Sequence, residues 1–280
     1  MKSLLLAVSF FAATFTSFAQ TEPSTFTKYT DHNKGKFFIY WGGNRADYSK
    51  SDIRMEGPGY DFTLENVEAI DKPKGWHIDY INPARMTIPQ TNLRIGYFIS
   101  DKYSVSVGVD HMKYVMVQNQ RVNMNGSIDG YAPFDGTFTN HNMELTEDFL
   151  TFEHTDGLNY VNVEIARMDD LGKLVGLQVD GDKVQFNTVV GVGAGVLYPK
   201  TNATVMSMDR HDDFHISGYG LSAKAGLNIT FLKHFFIQGE LKGGYINMPS
   251  IRTHASTAHS ASQDFRFLER VLVVGGIFRL

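Results

Sequence analysis

Taken two residues at a time, the chain separates into eight segments that each carry one apolar face. They run at about 36–47 (KFFIYWGGNRAD), 88–100, 103–117, 157–168 (GLNYVNVEIARM), 183–199 (KVQFNTVVGVGAGVLYP), 215–232 (HISGYGLSAKAGLNITFL), 235–248 (FFIQGELKGGYINM) and 264–280. Alternation of this period marks strands with unlike faces. The links between them alternate in length: short at 101–103 and 232–234, medium near 169–182, long and polar near 48–87, 118–156, 200–214 and 249–263. Eight is a common count for a small closed membrane barrel, and such barrels join their strands by tight turns at one end and long loops at the other. The pattern therefore predicts an all-β fold, an eight-stranded antiparallel transmembrane β-barrel with short periplasmic turns and long extracellular loops. Within the first long link, SDIRMEGPGYDFTL (51–64) alternates on both sides of Gly57-Pro58-Gly59 and predicts an extracellular β-hairpin. The stretch 118–156 is more polar, with single aromatics such as Tyr131, Phe134 and Phe138.

In a closed barrel the outward positions must be apolar and the inward ones can be polar. Segment 88–100 turns Leu93, Ile95, Tyr97 and Ile99 outward and Asn92, Arg94, Gly96 and Phe98 inward. Segment 103–117 turns Val105, Val107 and Val109 outward and Ser104, Ser106, Gly108 and Asp110 inward. The shared parity predicts a three-residue turn, Asp101–Tyr103, that sets Ser100 opposite Ser104 and Arg94 opposite Asp110. The same treatment sends Asn162 and Glu164, then Lys224, then Gln238, Glu240 and Lys242 into the lumen. A three-residue turn at Leu232–His234 would face Lys224 with Lys242, a repulsive pair that needs the carboxylates of Glu240 and Glu164 between its members. The predicted lumen set, Arg94, Asp110, Glu164, Lys224, Glu240 and Lys242, balances three cations against three anions. An eight-stranded bore is just wide enough for side chains, so a paired network plugs it. Past the apolar run of the third segment, His111 and Lys113 point outward, and with Tyr114 they are expected to contact lipid at the outer interface.

Composition narrows the setting. Residues 1–19, MKSLLLAVSFFAATFTSFA, have the charged start, apolar centre and small-residue end of a cleaved signal peptide. The expected division is a signal peptide over 1–19, a periplasmic N-terminal segment over 20–34 and an outer-membrane β-barrel over 35–280. Without cysteine there is neither disulfide framework nor thiolate metal site, and a net charge of −4 argues against nucleic acid as a partner. The one stretch suggesting enzymology is FHISGYGLS, whose His215 and Ser217 stand two apart as in lipid A deacylases. The carboxylate such a site needs is missing: Glu240 pairs with Gly226 in the predicted register, roughly 35 Å down the strand, and faces the lumen. In RHDDFH (210–215), His211 and His215 on extended chain would be roughly 13 Å apart, so no metal is assigned. GVGAG (191–195) has no helix after it, so it reads as room for bulky neighbours and no cofactor is expected.

The signal peptide, the terminal strand GGIFRL and the pieces RIGYFISDKYSVSVGVDHMKYVM and GELKGGYINMP resemble the small outer-membrane β-barrel proteins of Bacteroidetes-type bacteria, with barrels like those of OmpX and OmpA. The resemblance covers most of the mature chain. It implies a fold and an outer-membrane location in a Gram-negative bacterium, and it brings no catalytic motif. The expected function is a non-enzymatic scaffold that displays extracellular loops for binding. Its expected partners are outer-membrane lipid or lipopolysaccharide, another envelope protein, or surface glycan. A small-solute or ion channel is the first alternative, separated by conductance; a lipid A-modifying hydrolase is the second.

Overall fold

The computed structural model describes residues 29–73, 90–176 and 180–279; the expected signal peptide lies outside them. Fourteen strands are present among the described residues: β1 (Lys36–Tyr48), β2 (Ser51–Gly57), β3 (Tyr60–Val67), β4 (Ala69–Ile70), β5 (Thr91–Phe98), β6 (Tyr103–Met116), β7 (Arg121–Ile128), β8 (Gly136–Glu144), β9 (Leu150–Asp170), β10 (Val184–Leu197), β11 (Asn202–Val205), β12 (Gly218–Phe231), β13 (Phe235–Arg252) and β14 (Ser260–Arg279). Eight of them form a closed antiparallel ring in the order β1-β5-β6-β9-β10-β12-β13-β14, and β14 returns to β1. Each of the eight segments seen in the sequence supplies one ring strand.

Following paired residues around the ring from Phe37 leads back to β1 at Asp47, a stagger of ten residues. For eight strands that stagger corresponds to a tilt of roughly 43° from the barrel axis. The outward face is apolar: Ile95, Val107, Val163, Val192, Leu227 and Leu272 are each more than half exposed or close to it. Tyr97, Tyr103 and Phe235 stand exposed near one end of this band, and Tyr198 and Tyr219 near the other. The end where β1 begins and β14 finishes is called the base, and the opposite end the crown.

At the base, Leu232–His234 joins β12 to β13 as a three-residue turn, with Phe231 opposite Phe235 and positive φ at Leu232 and Lys233. The β5–β6 turn differs from expectation. Phe98, not Ser100, pairs with Ser104, so the register slips by two residues and Arg94 faces Gly108 while Asp110 faces Asn92. The cause is local. Ser100 Oγ accepts the backbone N–H groups of Lys102 and Tyr103 at 3.3 and 3.0 Å, which turns the chain early. Asp101 is held below by the backbone N–H of Lys34 at 3.0 Å. Because the slip is an even number, every side chain keeps its face. A short helix, α1 (Leu171–Leu174), capped by Asp170, follows β9. The segment before β1 closes the base: Thr30 is buried and donates to Asp182 Oδ1 from both its N–H and its hydroxyl, and the inward Lys36 Nζ donates to Tyr29 O at 2.8 Å.

Above the apolar band the walls continue as a second compartment. β1 passes into β2 along the same neighbour, β14. Lys36 pairs with Arg279 and Tyr48 with Phe267, but Glu56 pairs with Ser260, so one extra residue enters around Ser49 and Lys50. That single insertion is a bulge, and it reverses which parity faces inward. Tyr40 and Asn44 are buried below it, whereas Ser51, Ile53 and Met55 are buried above. The expected hairpin over 51–64 is β2 and β3, turning at Pro58-Gly59. The polar stretch after β6 holds a second hairpin, β7 and β8, which extends the same sheet in the order β14-β2-β3-β7-β8. The opposite wall is β6 and β9 lengthened by β4 and β11. Between the walls lies one apolar core that includes Met55, Phe62, Met124, Phe149, Phe152 and Phe265, all at most 2% exposed. The described parts of the long links therefore fold into a packed crown over the bore.

The crown buries an imidazole as well. His154 is fully enclosed, 3.0 Å from Thr201 Oγ1 and against the rings of Tyr114 and Phe152. Burial holds its pKa down to about 3, and burial likewise lowers His211 and His259. A histidine whose folded pKa is depressed stabilises nothing extra above its unfolded value, and stability falls as pH drops below about 6.5 because the open state takes up the proton. For His154 alone the loss at pH 5 is about 2 kcal/mol. We expect proteolysis of the crown to accelerate between pH 6.5 and 5 while the barrel keeps its strand content by circular dichroism. His154→Leu should flatten that dependence; an unchanged pH profile in this variant would show that His154 is not its source.

Candidate functional site: a charged network across the bore

Inward parity delivers polar side chains from six ring strands to one level of the bore. β5 contributes Arg94, β6 Asp110, β9 Glu164, β12 Lys224, β13 Glu240 and Lys242, and β1 contributes Tyr40; all seven are buried. Glu164 is the hub. Its carboxylate lies 3.0 Å from Arg94 Nη2, 2.8 Å from Lys224 Nζ and 2.7 Å from Lys242 Nζ. Lys242 also meets Asp110 at 2.7 Å, Lys224 meets Glu240 at 2.9 Å, and Arg94 stands 3.7 Å from Asp110 despite the slipped register. Lys224 does face Lys242 across β12 and β13, with Glu164 and Glu240 neutralising the pair.

Amides complete the shell. Asp110 accepts from Asn92 Nδ2 at 2.6 Å and from Asn162 Nδ2 at 2.9 Å, while Arg94 donates to Asn162 Oδ1 at 2.6 Å. Gln238 donates to Glu240. Buried charges persist only when paired and hydrogen-bonded in this way, since removal from water costs several kcal/mol per ion. Two glycines make the space. A Cβ on Gly193 would stand 2.8 Å from Glu164 Cγ and 2.9 Å from Ser222 Oγ, and one on Gly108 would stand 2.9 Å from Arg94 Cζ. The glycine-rich run of β10 thus clears volume for a neighbour's charged side chain.

One member escapes sequence reasoning. Glu269 of β14 is fully buried, sits opposite Lys242, and neither of its carboxyl oxygens accepts a hydrogen bond. The signal was weak because β14 carries apolar residues on both faces, Phe267 and Val271 inward, Leu268 and Leu272 outward. The long link before β14 also hides its register. Below the network, a lumen cavity of about 40 Å³ lies between Phe38, Phe98, Ser106, Lys224 and Phe236, enough for a water molecule or two.

The outward candidates at the crown end fall elsewhere. Tyr114 is fully buried, its hydroxyl 2.5 Å from Gln263 Nε2 and 3.3 Å from Ser51 Oγ, so it belongs to the crown core and not to an interfacial belt. His111 is only 4% exposed, with Nδ1 2.7 Å from Asn159 Oδ1. The even-numbered face of β6 stays buried through Met112, Tyr114 and Met116, so Tyr114 follows the inward count, while two extra residues of β9 enter between the Met112–Leu158 and Tyr114–His154 pairs. Lys113 is half-buried, its carbonyl accepting from Tyr48 Oη. His215 and Ser217 precede β12, and their side chains do not pair: Ser217 is buried and its hydroxyl donates at 3.4 Å to the backbone carbonyl of His215, not to its ring. A deacylase dyad is not formed. Among the described residues, no group of three or more His, Asp or Glu side chains is placed to hold a metal ion.

No protein-family model matches the chain, and no curated protein matches it. Among solved structures it is similar to the outer membrane protein OprG of Pseudomonas aeruginosa, at 12% identity and a TM-score of 0.39, covering 90% of this chain and 99% of that one. It is similar also to Ail, the attachment invasion locus protein of Yersinia pestis, at 11% identity and 0.33, covering 88% and 99%. A third is Neisserial surface protein A, at 9% and 0.36, covering 87% and 99%. The eight-stranded ring rests on its own strand pairing.

The geometry ranks the carboxylates. Glu164→Gln should destabilise the barrel by about 3–5 kcal/mol, because three buried cations then lose their shared anion. Glu240→Gln, which touches one cation, should cost less. Combining Glu164→Gln with Lys242→Met should recover part of the loss. Urea unfolding in detergent, followed by tryptophan fluorescence, measures all three; equal, additive effects would mean that Glu164 is not the hub.

Proposed function

We propose that the protein is an outer-membrane β-barrel of a Gram-negative bacterium that works as a closed anchor, holding its crown outside the cell for binding. The observation that carries this is the filling of the bore along its length: the segment around Thr30 at the base, the charged network at mid-height, and the apolar core of the crown above. A channel needs a continuous aqueous path, usually lined by one sign of charge. Here both signs meet at 2.7–3.0 Å, and the lumen cavity below the network holds no more than a water molecule or two. The apolar outward face with exposed tyrosines near both ends suits a bilayer, and no helix among the described residues is long and apolar enough to cross one.

Recognition falls to the crown. β8 ends the sheet order, and Thr137, Thr139, Asn140, His141 and Asn142 are exposed on it. Short amide, hydroxyl and imidazole groups on a rigid strand suit a surface glycan or the edge of another envelope protein. The enzymatic alternative lacks its dyad, since the Ser217 hydroxyl donates to the backbone carbonyl of His215 and not to its ring.

Residues 20–280, refolded and incorporated into a planar lipid bilayer, should give no current steps. Folding is verified separately by the shift in gel mobility on heating. Discrete, reproducible conductance from the folded protein would overturn the closed-anchor function and make transport the leading one.

A further inference from the structure

The outward face carries two charges where apolar side chains belong. Even-numbered residues of β14 point outward, so Arg270 lies between Leu268 above it and Leu272 below, inside the apolar band. Its direct cross-strand partner on β1 is Arg45. Like charges placed opposite each other are unfavourable, and guanidinium groups facing hydrocarbon are costly unless they reach the interface or an anion. Asp47 takes one N–H of Arg270 at 2.7 Å, and Arg45 Nη1 donates to Asn44 O at 2.7 Å. A guanidinium has five N–H donors, of which Arg270 gives one to Asp47.

Directly beneath the arginines the wall is bare. Leu272 is flanked on one side by Gly43 and on the other by Gly239, which in turn faces Leu227. Ala225 continues the shallow floor beside Leu241. The result is an open groove of about 860 Å³ on the outside of β12, β13, β14 and β1, with Arg45 and Arg270 at its crown end. Trp41 forms its base-side wall, and the indole N–H is buried without a hydrogen-bond partner. A Cβ on Gly239 would meet nothing within 4 Å, so the slot is empty space and not a packing requirement.

We propose that this groove binds an anionic, phosphate-bearing lipid of the outer leaflet. Its phosphate would bridge Arg45 and Arg270, and one acyl chain would lie in the slot beside Leu272, against the ring of Trp41. This rests on the outer-membrane placement above and adds the site and the headgroup chemistry. Phosphate answers the juxtaposed guanidinium groups by bidentate, charge-assisted hydrogen bonds, and the chain answers a trough too smooth to be filled by the protein's own side chains.

Trp41 is the reporter. The chain has two tryptophans, and Trp76→Phe leaves Trp41 alone. In this variant, reconstituted in mixed vesicles, quenching of Trp41 by dibrominated phosphatidylglycerol should show a preference of roughly tenfold over dibrominated phosphatidylcholine, as expected for two arginines near a lipid phosphate. Arg45→Gln with Arg270→Gln should bring the preference to about one, and Gly239→Leu, which fills the slot, should lower quenching by either lipid. Arg167→Gln, at the base end of the outward face, controls for general attraction and should leave the preference intact. Equal quenching by the two lipids, or a preference that survives loss of both arginines, overturns the site. Quenching by neither lipid would mean that the barrel does not lie in the bilayer, and would overturn the outer-membrane placement with it.

Discussion

A charge sealed inside a ring of strands has no water to turn to, so it must find its counter-charge and its hydrogen bonds across the bore. In this protein that requirement converges on the carboxylate of Glu164, which three cations from three other strands share. The bore at this level is therefore a set of complementary positions contributed by strands far apart in the chain. Gly108 and Gly193 are part of the same arrangement, because the hub and Arg94 occupy the volume their side chains would take. The network ties β5, β6, β9, β12 and β13 together through side chains as the backbone ladder ties them edge to edge. That double connection favours a rigid, closed wall over one that breathes.

Much of this was legible from alternation alone. Period-two patterning separates inward from outward with no knowledge of turns, so Arg94, Asp110, Glu164, Lys224, Glu240 and Lys242 could all be assigned to the lumen from their neighbours. Which of them touch was harder, because contact depends on register. At Leu232–His234 a three-residue turn kept the count, and Lys224 faces Lys242. At Ser100 a side chain captured two backbone N–H groups and moved the pairing by two residues. No pattern of hydrophobicity encodes that capture. Glu269 stayed hidden because its strand is apolar on both faces and follows a long link.

The crown was partly legible for the same reasons. β2 and β3 alternate cleanly around a Pro-Gly turn. β7 and β8 do not, since most of β8 is solvated on both faces and its partner buries only Val122, Met124 and Ile128. Tyr114 was misplaced because an aromatic ring just past an apolar run matches an interfacial belt, whereas its even number continues the inward count of β6, which the crown keeps buried through Met112, Tyr114 and Met116. The outward arginines carry a similar lesson. Arg45 and Arg270 are unremarkable in one dimension, and only the ring brings them to face one another across β1 and β14.

The bulge near Ser49 and Lys50 divides one long wall into two lengths with separate obligations. Below it, residue number is tied to the thickness of the apolar band, and a charged outward position such as Arg45 or Arg270 needs an anion or a polar headgroup to face. Above it the same strand starts a fresh count, with odd positions inward, and answers only to the packing of the crown. Inserting or deleting a single residue at this joint would turn the upper wall inside out, whereas a change of two would shift it by one step and leave its faces intact. The crown can thus diversify in sequence and reach without disturbing the part that sits in hydrocarbon, so long as its changes in length come in pairs.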